Sequence, residues 1–298
     1  MQYKKQYLYL FRMIDTLRNM ETPVSRETDL ILKNYLERIG YTGAPMANLD
    51  TLRKIHLLHT STIPFENLNP LLHWPVKLDI ESLQEKIIHN KRGGYCFEHN
   101  ILLSYALRKI GFDVQWLGAR VLWNRPEGTV NARTHMLLRI NIDGQAYIAD
   151  TGFGGLTLTA PLKFEADTEQ TTPHETFRLL ENASEYTLQA NVRGEWKSLY
   201  FFSLQEQAIA DYEVMSWYLC NNPDSHFIKT LRAARSAPGV RYALNNNEFA
   251  THHINGGTER KTLTTADEVI DVLRDVFLIQ LPDTPELKKV IESLFGKQ

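Results

Sequence analysis

The sequence predicts an α+β protein in which helices come first, an antiparallel sheet or barrel follows, and strands and helices mix in the last third. Two observations support this prediction. In the first third, apolar residues recur at helical spacing. In the middle third, short segments rich in β-branched and aromatic residues are separated by Gly, Asn and Asp turns, as in antiparallel sheets rather than βαβ units.

Composition limits the classes of partner. The chain has 298 residues, of which 43% are hydrophobic and 23% are charged, which is typical of a soluble globular protein of one to three domains. The formal net charge of −2 gives no global reason to expect nucleic acid or an anionic membrane as a partner. An anionic ligand would therefore need a local binding arrangement.

The N-terminus and the cysteines indicate the compartment. Two cysteines cannot form a disulfide framework, and nothing else suggests an oxidising environment. The apolar run YLYLF at residues 7–11 is only five residues long, and no small-residue cleavage site follows it. We therefore expect an extra helix or a loosely attached extension here, and a cytoplasmic protein without a membrane span.

Four helices are predicted in the first third. They cover residues 28–40, a segment from Asp50 to the break at residues 60–70, a segment from near Asp79 to the KRGG sequence, and residues 96–110 closed by Gly111. The apolar face of the first helix consists of Leu32, Tyr35, Leu36 and Ile39, and that of the third consists of Leu83, Ile87 and Ile88.

The strand-like segments of the middle third are residues 113–123, 135–142, 145–153, 176–180 and 186–192. Asp143 and Gly144 form a hairpin signal between the second and third of these segments. Near the C-terminus, residues 264–277 and 284–295 are predicted to be helices, the latter with Thr284 as its N-cap and Pro285 in its first turn.

Cys96 is the first candidate for chemistry, because it lies directly before a predicted helix and after the glycine pair Gly93–Gly94. Unpaired backbone N–H groups and the positive end of the helix dipole favour a thiolate at such a position, and the glycines allow a sharp turn and close approach of a ligand. The alternative is that Cys96 is a small buried apolar residue, which is the usual role of a free cysteine.

A nucleophilic cysteine needs a base, and the base needs an orienting partner. His135 lies in an apolar strand in which Met136, Leu138 and Ile140 face the other side. The hairpin makes this strand an antiparallel neighbour of the strand that ends at Asp150, so the spacing brings an imidazole and a carboxylate together. The alternatives are a core histidine with satisfied hydrogen bonds and a solvated turn aspartate.

Metal and nucleotide chemistry have little support in the sequence. The only close pair of possible zinc ligands is His252 and His253, which are adjacent and point apart in any regular element. There is no GxxxxGK[ST] sequence and no GxGxxG after a strand, so nucleotide hydrolysis and dinucleotide redox chemistry are not indicated. We expect no metal site and no permanently bound cofactor.

Five motifs in the same order resemble the arylamine N-acetyltransferase family. They are RGGYCFEHN around Cys96, IPFENL at residues 63–68, RTHMLL around His135, ADTGFGG around Asp150 and NPDSHF at residues 222–227. The resemblance runs from about residue 28 to the C-terminus and includes the order Cys, His, Asp of that family's triad. The first 27 residues depart from the family pattern.

The resemblance implies a multi-domain α+β fold with a cysteine-protease-like Cys-His-Asp core. Its parts would be an N-terminal extension (1–27), a helical bundle carrying Cys96 (28–112), an antiparallel β-barrel carrying His135 and Asp150 (113–213) and an α/β lid (214–298). It also implies acetyl-CoA as co-substrate, a Cys96 thioester, and an arylamine, hydrazine or N-hydroxyarylamine as acceptor in a ping-pong reaction.

The resemblance also implies pocket residues. Phe65, Thr134 and Phe153 are candidates for the acceptor pocket, with plain core packing as the alternative for the two phenylalanines. Candidates for CoA contacts are Gly154, Gly155, Tyr218, Ser225 and Phe227, and the glycine turn offers backbone N–H groups to an anion. Glu66 and Arg92 look like a structural ion pair.

Two other classes of function stay open at this stage. One is a CoA-independent cysteine hydrolase or a transglutaminase-like enzyme, because such enzymes use a similar Cys-His-Asp arrangement. The other is a non-catalytic relative that only binds its ligand, which would not require all three of Cys96, His135 and Asp150.

Overall fold

The structure is a computed structural model that describes residues 23–126, 128–254 and 256–295. Helices occupy the first third, as predicted. They are α1 (Pro23–Arg38), α2 (Leu49–Thr62), α3 (Leu68–Leu71), α4 (Ile80–Leu83), which continues as a π-helical turn (Gln84–His89), and α5 (Cys96–Ile110). The predicted extension lies largely outside the described residues, and α1 begins five residues before the predicted helix.

The boundaries of α2 and α5 follow from local hydrogen bonds. In α2 the Asn48 side chain accepts from the Thr51 amide, and the helix passes the predicted break. Within this last turn the Thr60 and Ser61 hydroxyls donate to carbonyls one turn earlier, at 3.2 and 2.8 Å, so both hydroxyls are hydrogen-bonded inside the helix. Helix α5 has the predicted bounds, and Gly111 ends it with a φ of +109°.

An eight-stranded antiparallel sheet forms the barrel of the middle third. Its strands are β2 (Asp113–Val121), β3 (His135–Ile142), β4 (Gln145–Ala149), β5 (Leu162–Lys163), β6 (Gln170–Thr171), β7 (Thr176–Asn182), β8 (Glu185–Val192) and β9 (Glu195–Glu206). They are hydrogen-bonded in the order β5-β4-β3-β2-β9-β8-β7-β6. Asp143 and Gly144 have positive φ and form the predicted β3–β4 hairpin. Strand β9 is not among the strand-like segments found in the sequence.

The last third forms a second antiparallel sheet flanked by helices. Its elements are α6 (Ile209–Asn221), a 3₁₀ turn (His226–Ile228), β10 (Arg232–Ala237), β11 (Val240–Asn245), β12 (Glu248–His253), β13 (Thr258–Thr262), α7 (Ala266–Asp275) and α8 (Pro285–Leu294). The two predicted C-terminal helices are confirmed, including the Thr284 N-cap. A short strand from the first third, β1 (Phe65–Glu66), pairs with β10 and so joins the first third of the chain to the last.

Three apolar clusters hold these parts together. In the first, the helices pack against one face of β3, which presents Met136, Leu138 and Ile140 as predicted. In the second, α7 and α8 pack on the five-stranded sheet. The third fills the barrel and includes Leu137 from the opposite face of β3. His135 shares that face of β3, and this places it at the boundary between the helices and the barrel.

None of the helices in the described part of the chain is both long and apolar enough to cross a membrane.

Candidate active site

Cys96 is the first residue of α5, and its position depends on close backbone packing. A Cβ atom at Gly93 would lie 2.0 Å from the carbonyl oxygen of Pro64, so only glycine fits there. Glu98 reaches back to accept a hydrogen bond from the Tyr95 amide at 3.1 Å, which caps the first turn. The glycine pair is therefore needed to bring the start of the helix against the strand that carries Phe65.

His135 and Asp150 meet as the strand register predicted. His135 Nε2 donates to Asp150 Oδ2 at 2.7 Å, and both side chains are buried. The interpretation of Asp150 as a solvated turn residue is therefore wrong. Because Nε2 carries the proton in this hydrogen bond, the second ring nitrogen of His135, Nδ1, is free to act as a base.

The turn that follows Asp150 packs directly against Cys96. A Cβ atom at Gly152 would lie 2.6 Å from Cys96 Cα, so a larger residue would push the two segments apart. The Cys96 sulfur lies 3.6 Å from the carbonyl oxygen of Thr134, the residue before His135. The first helix turn, the start of β3 and the turn after β4 thus converge on one point.

Four donors hold the Asp150 carboxylate. Oδ1 accepts from Asn100 Nδ2 at 3.0 Å and from the Gly152 amide at 2.9 Å, and Oδ2 accepts from His135 and from the Tyr200 hydroxyl at 2.9 Å. Burial alone would raise the pKa of Asp150, but His135 and the hydrogen bonds from Asn100 and Gly152 hold it below its usual range. Asp150 is therefore ionised, and its position is fixed.

The surroundings of Cys96 oppose its ionisation, so the helix N-terminus cannot be the main reason for a thiolate, as the sequence had suggested. Burial raises the pKa of the Cys96 thiol, the Asp150 charge raises it further, and hydrogen bonds with the backbone of Met136 and Phe97 oppose the shift only in part. The helix N-terminus is therefore not enough to ionise Cys96. A thiolate here requires the proton to move to His135, where Asp150 stabilises the resulting imidazolium.

A cleft of about 1360 Å³ opens above this point, and Cys96 and His135 both line it. All the pocket residues expected from the sequence line the same cleft, namely Phe65, Thr134, Phe153, Gly154, Gly155, Tyr218, Ser225 and Phe227. Phe65 and Phe153 are half-buried and also pack against core clusters, so the two interpretations of these rings are compatible. The Ser225 hydroxyl is already used, because it donates to Leu219 O and accepts from the Phe227 amide.

The predicted ion pair between Glu66 and Arg92 is present, at 2.7 Å, and belongs to a larger buried group. Lys86 lies 3.8 Å from Glu66 and 2.7 Å from Glu98. Burial alone would raise the pKa of Glu66, but Arg92 and Lys86 lower it to about 2. Two carboxylates thus share two cations beneath the first turn of α5, which anchors that turn.

Sequence reasoning missed Asn100 and Tyr200. Asn100 follows Cys96 by one helical turn, so it shares a face of α5 with the cysteine, and this spacing could have identified it. It donates to Asp150 and to the Met136 carbonyl, and its oxygen accepts from the Thr151 amide. Tyr200 lies on β9, the strand that the sequence pattern did not reveal, so no local signal pointed to it.

Comparison with known proteins gives the family. A family model described as N-acetyltransferase matches residues 48–286. The arylamine N-acetyltransferase of Mycolicibacterium smegmatis is 43% identical over 256 residues, which cover 85% of this chain and 93% of that protein. The chain belongs to the arylamine N-acetyltransferase family.

Solved structures agree with this assignment. The arylamine N-acetyltransferase of Mycobacterium marinum superposes with a TM-score of 0.86 at 40% identity, covering 88% of this chain and 99% of that one. The structure of the same M. marinum enzyme in complex with CoA gives a TM-score of 0.85 with the same identity and coverage. The expected α+β fold with a helical part, an antiparallel barrel and a third, mixed part is therefore confirmed.

Proposed function

We propose that this chain transfers an acetyl group from acetyl-CoA, through a thioester on Cys96, to the nitrogen of an arylamine or hydrazine, or to an N-hydroxyarylamine. The observation that carries the proposal is that Cys96 and His135 line one cleft while the buried Asp150 holds His135 by a hydrogen bond. The hydrogen bond of 2.7 Å between His135 and Asp150 and the packing of Gly152 on Cys96 are its main supports.

In the first half-reaction, His135 Nδ1 accepts the proton of the Cys96 thiol, and the thiolate attacks the acetyl carbonyl carbon. The bond from that carbon to the CoA sulfur breaks, and the departing sulfur takes the proton from His135. Asp150 stabilises the imidazolium while it exists and holds the ring in one tautomer. The products are acetylated Cys96 and free CoA.

In the second half-reaction, the acceptor nitrogen attacks the thioester carbon. His135 takes a proton from the amine and returns it to the Cys96 sulfur as the carbon–sulfur bond breaks. A thioester reacts with amines readily but must be protected from water, so the acceptor needs an apolar surface. Phe65, Phe153 and Thr134 are the residues that we assign to this surface.

CoA would occupy the remainder of the cleft, along Gly154, Gly155, Tyr218, Ser225 and Phe227. Phe227 lies 5.5 Å from the Tyr95 ring and 6.4 Å from the Phe65 ring, measured between ring centroids, so it borders the cysteine side of the cleft. Since the Ser225 hydroxyl is bonded within the protein, we assign Ser225 to shaping this segment. The two glycines would offer backbone N–H groups.

The covalent intermediate gives the decisive test. Double-reciprocal plots against acetyl-CoA at several arylamine concentrations should be parallel, and acetyl-CoA alone should add the mass of one acetyl group to the peptide that contains Cys96. Cys96→Ser should abolish both results. Cys220→Ser is the matched control, because Cys220 is the other free cysteine and its sulfur lies 3.7 Å from the Tyr95 hydroxyl.

Intersecting plots together with an unmodified Cys96 would contradict the proposal and indicate direct transfer in a ternary complex. Hydrolysis of p-nitrophenyl acetate without CoA release from acetyl-CoA would instead favour the hydrolase alternative.

The division into domains at residues 28–112, 113–213 and 214–298 is part of the same proposal. The separate eight-stranded and five-stranded sheets support it, although β1 joins the sheet of the third part. The boundary at residue 213 falls inside α6 (Ile209–Asn221), so a separation of the last two parts would have to lie beside that helix. Limited proteolysis should cut near residue 112 and in the segment just before α6 if these parts are domains. We keep a cytoplasmic location as a prediction, which cell fractionation would test.

A further inference from the structure

One wall of the cleft carries three basic side chains from three different segments. Arg125 lies in the loop after β2, His226 begins the 3₁₀ turn, and Arg232 begins β10; all three line the cleft. These residues are far apart in sequence and come together only in the fold. None of them has a role in the acetyl-transfer chemistry described above.

Within the described ranges, no carboxylate lies within ion-pair distance of Arg125 or Arg232. The nearby acids are engaged elsewhere, since Asp224 pairs with Lys229 at 3.7 Å and Glu248 accepts from the Thr262 hydroxyl at 2.7 Å. Among the described residues, the Arg232 side chain makes one long hydrogen bond, of 3.4 Å, to the Thr230 hydroxyl. The guanidinium groups therefore keep most of their donors available.

The charges are close enough to affect one another. Burial lowers the pKa of Arg232, and the charge of Arg125 lowers it further. Burial also lowers the pKa of His226. The charges of Arg232, Arg125 and Lys229 lower it further. Like charges gathered in a cleft repel one another, and a bound anion would relieve that repulsion.

The segment that presents His226 and Arg232 is fixed by Asn67, which is fully buried. Asn67 Nδ2 donates to the carbonyls of Phe227 and Thr230 at 2.8 and 2.7 Å, and its Oδ1 accepts from the Arg232 amide at 2.7 Å. One side chain of the IPFENL motif thus uses three hydrogen bonds to hold residues 227–232 against the helical part. The positions of the two basic side chains are therefore set in advance.

We propose that Arg125, His226 and Arg232 bind the phosphate groups of acetyl-CoA. This inference rests on the proposed function. The nucleotide end of CoA carries a diphosphate and a 3′-phosphate, and a chain with a net charge of −2 needs a local group of cations to hold them. Arginine binds phosphate through two parallel N–H donors, which suits this end of the ligand. Phe227, on the same segment, would then direct the pantetheine arm toward Cys96.

The test compares ligands that differ only in their phosphates. Isothermal titration would give Kd values for CoA, dephospho-CoA and pantetheine with the wild type, Arg125→Gln, Arg232→Gln and the double variant. Each single variant should raise the Kd of CoA about tenfold and the double variant about a hundredfold, because each removes a charge-assisted hydrogen bond. The Kd of pantetheine should stay the same in all four proteins.

Arg193→Gln and Arg260→Gln are matched controls, since both residues line the same cleft but belong to the β8–β9 turn and β13. Their Kd for CoA should stay within twofold of the wild type. An unchanged Kd in the double variant, a larger loss of affinity in the controls, or no CoA binding by the wild type would overturn the proposal.

Acetyl transfer by the wild type from S-acetyl-N-acetylcysteamine, which has no phosphate, is measured separately. Its absence would count against the proposed function and not against the arginines.

Discussion

His135 and the pair His59–His99 are buried to a similar degree but have opposite surroundings. His135 has a carboxylate partner, Asp150, and can therefore hold a proton while it reacts. His59 and His99 form a row with neutral partners: Tyr35 OH lies 2.8 Å from His59 Nδ1, His59 Nε2 lies 2.8 Å from His99 Nδ1, and His99 Nε2 lies 3.1 Å from the Pro64 carbonyl oxygen.

The proton positions in this row follow from its last member. The carbonyl oxygen of Pro64 can only accept, so His99 Nε2 carries a proton and His99 Nδ1 accepts from His59 Nε2. His59 Nδ1 then accepts from the Tyr35 hydroxyl. Both rings are neutral, and a second proton on His99 Nδ1 would face the donor at His59 Nε2. Burial lowers the pKa of His99 to about 4 and that of His59 well below its usual value.

The difference shows what makes a buried histidine catalytic. Burial alone gives a neutral ring that serves as a structural hydrogen-bond linker, whereas a charged partner stabilises the imidazolium that forms during proton transfer. The predictions below test this contrast, beginning with the partner of His135.

Replacing Asp150 by Asn removes the charge that distinguishes His135. We expect kcat to fall about a thousandfold or more, because the ring loses both its fixed tautomer and the stabilisation of its imidazolium. Labelling of Cys96 by iodoacetamide at neutral pH should slow in parallel, since the proton has no favourable place to go. Steady-state kinetics and mass spectrometry would measure the two effects.

Asp211→Asn is the matched control, because Asp211 is an exposed carboxylate that accepts from the Ala208 amide at the start of α6. It should leave kcat within about twofold of the wild type, as is usual for surface changes. Near-normal turnover in Asp150→Asn would mean that His135 does not depend on a charged partner, and the contrast would fail.

Acid should destabilise the protein through the neutral histidines before it affects the carboxylates. Burial lowers the pKa of His56 and His99 from 6.5 to about 4, so the unfolded chain takes up protons that the folded state refuses. The free energy of unfolding should therefore fall as the pH drops from 6.5 to 4, by on the order of 3 kcal/mol for each of these residues. Urea unfolding at several pH values would measure it.

Glu66 provides a second, lower window. Its pKa is lowered from 4.5 to about 2, so its contribution is present above pH 4.5 and is lost as the pH falls toward 2. Stability that stays constant between pH 7 and 5 and falls only below 4.5 would show that the histidines are not held neutral by burial.

The sequence was enough to find His135 and Asp150, because both lie at positions that a two-residue hairpin brings together. It was also enough for the bounds of α5, which carry clear start and stop signals. Local patterns of this kind depend on neighbours within a few residues, and the structure retains them.

The partners from distant segments could not be predicted. Tyr200 reaches Asp150 from β9, and Asn67 fixes the Arg232 backbone from 165 residues away. The roles of His59 and His99 were equally hidden, because the hydrogen bond between them joins two helices whose packing no local pattern describes. Such contacts are set by tertiary packing, which a single sequence read segment by segment does not reveal.

Breaking the row at His99 should affect stability and not catalysis. His99→Leu leaves the His59 Nε2 donor buried without an acceptor, so we expect a loss of about 2 kcal/mol in the free energy of unfolding. The kcat per folded enzyme should stay within about threefold. His253→Leu is the control, since this residue is exposed and its ring lies 2.9 Å from Glu259 on the surface. A kcat loss comparable to that of Asp150→Asn would show that the row takes part in the reaction.

Removing the hydroxyl at the far end of the row should have the smallest effect. Tyr35 is fully buried, and its hydroxyl donates to His59 Nδ1, so Tyr35→Phe leaves an acceptor unsatisfied but creates almost no cavity. We expect a loss of about 1 kcal/mol in urea unfolding and unchanged kcat. The variant also frees the His59 Nδ1 lone pair to accept a proton, so its acid destabilisation should be shallower than that of the wild type between pH 6.5 and 4. An identical pH profile would mean that the Tyr35 hydroxyl does not help to keep His59 neutral, and that burial alone accounts for the state of the row.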